Sequence, residues 1–233
     1  MKKYLLLVLT ISGTVGLPLL GKWTTGRVLF GCLPEAINKQ IIYQSITLIG
    51  SIVFLLVIRY LRPSVFRTYF RMGNPGAAVV PVPLLGIKPK PGEHWGHVGS
   101  NFAITISLVT AIVLYFQIID GNDWSLTSLC SLLPFAFLFA VTNSFVEEVI
   151  TRLGIVVAGK GLVSDRALPF LSAATFGTLH YWGVPGGVPG VLAAGFLGWF
   201  LAKSILETRG IFWAWCIHFL QDLIIFIALF GTL

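Results

Sequence analysis

The chain has 233 residues, of which 56% are hydrophobic and only 11% charged, and its mean hydropathy is +0.87. An ordinary soluble domain carries about 25% charged residues, and a compact fold of this length could not hide so much apolar surface. A soluble enzyme, a disordered chain and a nucleic-acid-binding protein are excluded, which leaves an all-α, polytopic transmembrane bundle. The net charge of +7 resides mostly in connections between apolar runs, where cations suit anionic lipid headgroups and act as orientation signals. Membrane lipids are therefore the first expected partners, and nucleic acid is not one. Three cysteines, Cys32, Cys130 and Cys216, have neither disulfide-framework nor zinc-knuckle spacing and read as small apolar fillers.

A helix needs about 20 apolar residues to cross the hydrocarbon core. Seven candidate spans follow in order: Tyr4–Leu20, Ile41–Tyr60, Phe102–Ile119, Leu129–Ala158, Ala167–Trp182, Val188–Leu206 and Ile211–Phe230. The first follows Lys2 and Lys3, but no clean small-x-small cleavage site succeeds it, so it reads as an anchor rather than a signal peptide. The stretch from Arg62 to Gly99 is punctuated by Pro63, Pro75, Pro81, Pro83, Pro89 and Pro91 and cannot be one regular helix. Phe66, Phe70 and Met72, interleaved with Arg67 and Arg71, suggest an interfacial segment there. Glu93, His94 and His97 read as a polar loop end before the next helix. Trp182, Trp199, Trp213 and Trp215 suit the interfacial belt, and Gly195 and Gly198 suit close helix packing.

Positive charge predicts the orientation. Lys2, Lys3, Arg59, Arg62, Arg67, Arg71, Lys88, Lys90, Lys160, Arg166, Lys203 and Arg209 fall on one side if the N-terminus is cytoplasmic. Lys22, Arg27 and Lys39 dissent. The expectation is an integral protein of the cell (plasma) membrane with a cytoplasmic N-terminus.

The informative residues are the ionisable ones inside apolar runs: Glu147, Glu148, Arg152, His180, His218 and Asp222. A central charge costs about 2.5–3.5 kcal/mol on insertion scales, so such groups face the protein interior and mark function. At 1.5 Å per residue, Glu147 lies roughly 20 Å from Lys160, His180 roughly 21 Å from Arg166, and Asp222 roughly 20 Å from Arg209. Three helices thus bring polar groups to similar depth from the same face. Glu148 and Arg152 are i and i+4 and can pair. Glu147 is rotated about 100° from Glu148, on the face that carries Asn143. His218 and Asp222 are i and i+4, so the carboxylate can orient the imidazole. Phe176 and His180 share one stripe.

A buried glutamate beside two histidines suits activation of water. The glutamate takes the proton, one histidine positions the water or binds a metal that acidifies it, and the other stabilises an oxyanion. A divalent metal such as zinc on Glu147, His180 and His218 is one form of this chemistry. No Gly-rich serine motif, intramembrane aspartate pair or H-E-x-x-H motif stands in a span. A proton- or ion-coupled transporter is the main rival, since such groups also form proton relays, although no inverted repeat is evident.

Glu147-Glu148-Val149-Ile150-Thr151-Arg152 matches E-E-x-x-x-R, Phe176 to His180 matches F-x-x-x-H, and His218 to Asp222 matches H-x-x-x-N/D. In this order, over about Leu129–Phe230, the chain resembles the CPBP family of CAAX proteases and bacteriocin-processing enzymes, which includes the type II CAAX prenyl endopeptidases. The resemblance implies an intramembrane endopeptidase acting on a peptide or lipidated protein. Glu147 and His180 would activate water, His218 and Asp222 would serve the oxyanion or complete the polar cluster, and Glu148, Arg152, Asn143 and Phe176 would support the site. The prenyl endopeptidases usually carry Asn where this chain has Asp222. An ionised aspartate cannot donate to an oxyanion, so support of His218 or of a metal is its alternative role. A non-proteolytic immunity or scaffold role is a further family possibility. On this reading residues 1–100 hold the N-terminal helices and the Pro/Gly-rich cytoplasmic loop, and residues 101–233 the catalytic core, in one integrated membrane domain.

Overall fold

The computed structural model describes residues 2–233. Its helices are α1 (Lys2–Trp23), α2 (Glu35–Leu61), α3 (Pro63–Tyr69), α4 (Trp95–Leu114), α5 (Leu126–Glu147), α6 (Gly154–Gly159), α7 (Leu168–Leu179), α8 (Gly187–Thr208) and α9 (Phe212–Gly231). Wider π-helical turns extend α4 through Tyr115–Ile119 and join α5 to α6 through Glu148–Leu153. No named strand occurs among the described residues. The chain is an all-helical membrane protein, as its composition requires.

Six helical runs are long and apolar enough to cross a bilayer, and the longest is the 34-residue Leu126–Gly159. The remaining apolar run is different. Of the expected Ala167–Trp182 span, only the 12 residues of α7 are α-helical, about 18 Å of rise against a hydrocarbon core of about 30 Å. Gly183, Pro185 and Gly186 forbid its continuation. The chain instead tightens into a 3₁₀ turn at His180–Trp182 and loops back into α8. His180 therefore sits at a helix end inside the bundle rather than along a crossing helix.

Packing joins α7 to α8 and α5 to α9 most extensively, with α4 against α9, α1 against α6 and α2 against α5. Small residues permit the α7–α8 contact. A Cβ on Gly177 would lie 2.9 Å from the Gly195 Cα, and one on Gly198 would lie 3.1 Å from the Ser172 carbonyl oxygen. The main apolar core, including Trp95, Val149, Leu153, Phe200 and Ile217, lies between these helices.

The cationic ends meet on one face. The Lys3 ammonium donates to the Gly161 carbonyl at 2.9 Å, Arg62 to the Lys160 carbonyl at 3.1 Å, and Arg71 to the Arg209 carbonyl at 2.9 Å. The Pro/Gly-rich connection docks here, with Asn74 N–H bonded to Thr208 O at 2.8 Å and Ile211 N–H to Tyr69 O at 2.9 Å. Gly73 and Gly210 are required at this junction, because a Cβ on Gly210 would overlap the Gly73 backbone. Glu207 completes the clamp, accepting from the Trp95 indole at 2.9 Å and the Val80 N–H at 3.1 Å while pairing with buried Lys203.

Several side chains depart from their sequence reading. Trp199 is buried against Phe170 and Phe196 rather than standing in an interfacial belt, and the Trp215 indole donates to Ser144 Oγ at 3.0 Å. Cys32 and Cys130 are exposed rather than core fillers. Phe66 is buried while Met72 is exposed, so the interfacial segment is the short α3 with one apolar face turned inward. His94 caps α4, as a polar loop end should.

Candidate active site

His218, on α9, organises the site. Its Nδ1–H donates to Glu148 Oε1 at 2.8 Å. The opposite nitrogen, Nε2, lies 3.5 Å from Glu147 Oε2 and 3.5 Å from Asp222 Oδ1. Both neighbouring glutamates thus reach one imidazole from opposite sides. An ideal helix would turn Glu148 away from Glu147 by about 100°, but the π turn beginning at Glu148 widens the backbone at that point. Such turns recur at functional sites.

The carboxylates are individually held. Asn143 donates through its side-chain amide to Glu147 Oε1 at 3.2 Å and to Asp222 Oδ2 at 3.0 Å. Glu148 also faces Arg152 Nε at 3.2 Å, with both side chains fully buried. The Arg152 guanidinium lies 3.5 Å over the Phe176 ring and donates to Thr151 Oγ1 at 2.7 Å. A buried cation that stacks on an aromatic face and faces a carboxylate offsets part of its desolvation cost.

Phe176 links the two histidines. Its ring centroid is 4.1 Å from that of His180 and 5.8 Å from that of His218. The His180 Nδ1 is 3.0 Å from the Phe176 carbonyl oxygen and donates to it, which turns Nε2 away from its own helix. His180, His218, Asp222, Gln221 and Thr110 line one cleft between α4, α7, α8 and α9. Its other walls are apolar, with Ile106, Ala194, Leu197 and Ile225, so a polar reaction centre opens into a space suited to an apolar chain.

All the expected residues belong to this region. The geometry nonetheless exchanges two expected positions: Glu148 makes the short bond to His218, while Asp222 stands farther off beside Glu147. No ion pair or hydrogen bond joins His180 to a carboxylate among the described residues. No group of three His, Cys, Asp or Glu side chains among the described residues is arranged to hold an ion, the possible metal set Glu147, His180 and His218 included. The donors present do not fit a metal in this arrangement.

Two amides escaped the sequence reading. Gln44 of α2 donates to Asn143 Oδ1 at 3.2 Å. Gln221 of α9 donates to Ser107 at 2.9 Å and accepts from Thr110 at 3.2 Å. A buried amide inside a span was the available signal, but uncharged amides are not separated from ordinary helix-packing contacts by hydropathy.

Comparison with the curated proteins and with the solved structures returns no match. A family model does match: residues 129–224 fit "Type II CAAX prenyl endopeptidase Rce1-like". Glu147, Glu148, Arg152, His180, His218 and Asp222 all fall within that segment, whereas α1, α2 and α3 lie outside it. The helical run that carries these six residues is thus similar to that family, in keeping with the resemblance of its motifs to the CPBP family.

Proposed function

We propose that this protein is an intramembrane endopeptidase that cuts a peptide bond of a membrane-associated substrate with a water activated by Glu147. The observation that carries the reading is the placing of His218, held by Glu148 and facing Glu147 and Asp222, in the wall of a cleft that His180 also lines. The family match supports a prenylated, CAAX-type substrate, and the apolar cleft walls are compatible with such a chain.

In this mechanism the water enters beside Glu147 and His180. Glu147 removes its proton as oxygen attacks the scissile carbonyl carbon, and His180 Nε2 positions it. The carbonyl π bond becomes an oxyanion, toward which the Nε2–H of His218 donates, the ring being an imidazolium with its other proton on Nδ1 toward Glu148. Glu147 then returns the proton to the leaving nitrogen as the C–N bond breaks, giving a carboxylic acid and an amine, which exchange the remaining proton to become carboxylate and ammonium. Glu148 keeps the His218 ring in the orientation that aims Nε2 inward. Asp222 accepts a hydrogen bond and lies beside Nε2, so its part is to support His218 rather than to donate to the oxyanion. No step passes through a metal.

The test is cleavage by purified protein in liposomes, using a prenylated CAAX peptide and a bacteriocin-like leader peptide, with ion flux measured in parallel. The expected result is a new peptide terminus from the prenylated substrate and no flux. Flux without cleavage supports the transporter instead.

A further inference from the structure

We infer that Gln44 is a positioning residue for the site, acting through Asn143 from a helix outside the matched segment. The inference rests on the endopeptidase reading for its kinetic consequence, but not for its structural one. Asn143 occupies the junction between Glu147 and Asp222, and only its NH₂ group can serve two carboxylates. A terminal amide has two nearly equivalent orientations. Flipped by half a turn, Asn143 would present its carbonyl oxygen to the carboxylates, set acceptor against acceptor and release both acids.

Gln44 selects the productive orientation. Its Nε2–H donates to Asn143 Oδ1 at 3.2 Å, so the oxygen of Asn143 must face α2 and its NH₂ must face the acids. The orientation of Gln44 is favoured in turn by its Nε2, which also donates to Gln40 Oε1 at 3.3 Å, while its Oε1 lies 3.0 Å from Thr142 Oγ1. The relay runs from the Thr142 hydroxyl, whose single proton is shared between Gln44 and the Leu138 carbonyl, through two amides, to two carboxylates beside His218. Gln44 is buried, so water does not readily replace it, and a low-polarity setting strengthens each bond of such a chain. Nothing in its position suggests contact with substrate: neither Gln44 nor Asn143 lines the cleft.

Gln44→Met keeps the length and volume but removes both the amide oxygen and the amide NH₂. The expected result is a fall of about tenfold in kcat with KM unchanged, the size expected when a reacting group loses its alignment without leaving the site. Thr142→Val, which frees the Gln44 oxygen, should lower kcat in the same direction by less. In an Asn143→Ala background Gln44→Met should cost nothing further, since coupled groups fail additivity. Side-chain amide hydrogen exchange at Asn143, followed by NMR in detergent, should quicken in Gln44→Met while the melting temperature holds. Wild-type kcat in Gln44→Met, a multiplicative loss in the double variant, or unchanged Asn143 exchange overturns the inference. If the wild type cleaves no peptide, the endopeptidase reading fails, while Asn143 exchange still decides the Gln44 link.

Discussion

His218 offers its two ring nitrogens to different partners, and that division sets the residue-scale predictions. Glu148→Gln keeps an acceptor for Nδ1–H but removes the charge facing fully buried Arg152. Breaking a buried pair by neutralising one member costs about 3 kcal/mol or more. The variant is expected to lose that much stability in a detergent unfolding assay while keeping more activity than Glu148→Ala, which loses the bond to His218 as well. Equal activity in the two variants would show that the Nδ1 bond does not orient the ring. The acids and histidines here were legible in the sequence because ionisable groups stand out from apolar runs. The division of labour among them was not, because spacing alone could not tell whether Glu148 or Asp222 makes the short contact with the imidazole. The amides Gln44 and Gln221 carried no charge to mark them.

At the scale of elements, the site depends on one widened turn and one short helix. The apolar runs that became α1, α2, α4, α8 and α9 were readable from length and hydropathy. The π turn at Glu148–Leu153 was hidden, since a shifted hydrogen-bond register leaves the local sequence pattern unchanged. The truncation of α7 was signalled by Gly183 and Pro185 but masked by the apolar residues around them. Close contact with α8 holds α7 in place, and through it His180. Gly177→Ala puts a methyl 2.9 Å from both the Gly195 Cα and the Val191 carbonyl oxygen, neither of which can move without shifting a helix. Overpacking of this kind costs about 1–3 kcal/mol. The variant is expected to show that loss in thermal unfolding and a fall in kcat as His180 is displaced. A variant with wild-type stability and rate would show that α7 tolerates the separation.

For the whole molecule, charge predicts the topology. The ends that carry Lys3, Arg62, Arg71, Lys160 and Arg209 are tied to one another by hydrogen bonds, so the cations that were grouped by counting spans share a face. By the positive-inside tendency that face is expected to be cytoplasmic. Cys32, exposed in the connection between α1 and α2, is then expected to face outward. In a Cys130→Ser, Cys216→Ala background, a membrane-impermeant maleimide should label Cys32 in intact cells. With Cys32→Ser and Lys88→Cys added, labelling should require permeabilisation. The opposite pattern inverts the topology but leaves the site intact.

The most direct measurement of the central claim is cleavage of a prenylated CAAX peptide by the reconstituted protein in ¹⁸O-labelled water, comparing wild type with Glu147→Gln. Attack by a free water predicts one heavy oxygen in the new carboxylate and a rate lower by about 10²–10⁴-fold in the variant, with the fold retained. Cleavage at the wild-type rate by Glu147→Gln would contradict the assignment of the proton-accepting group.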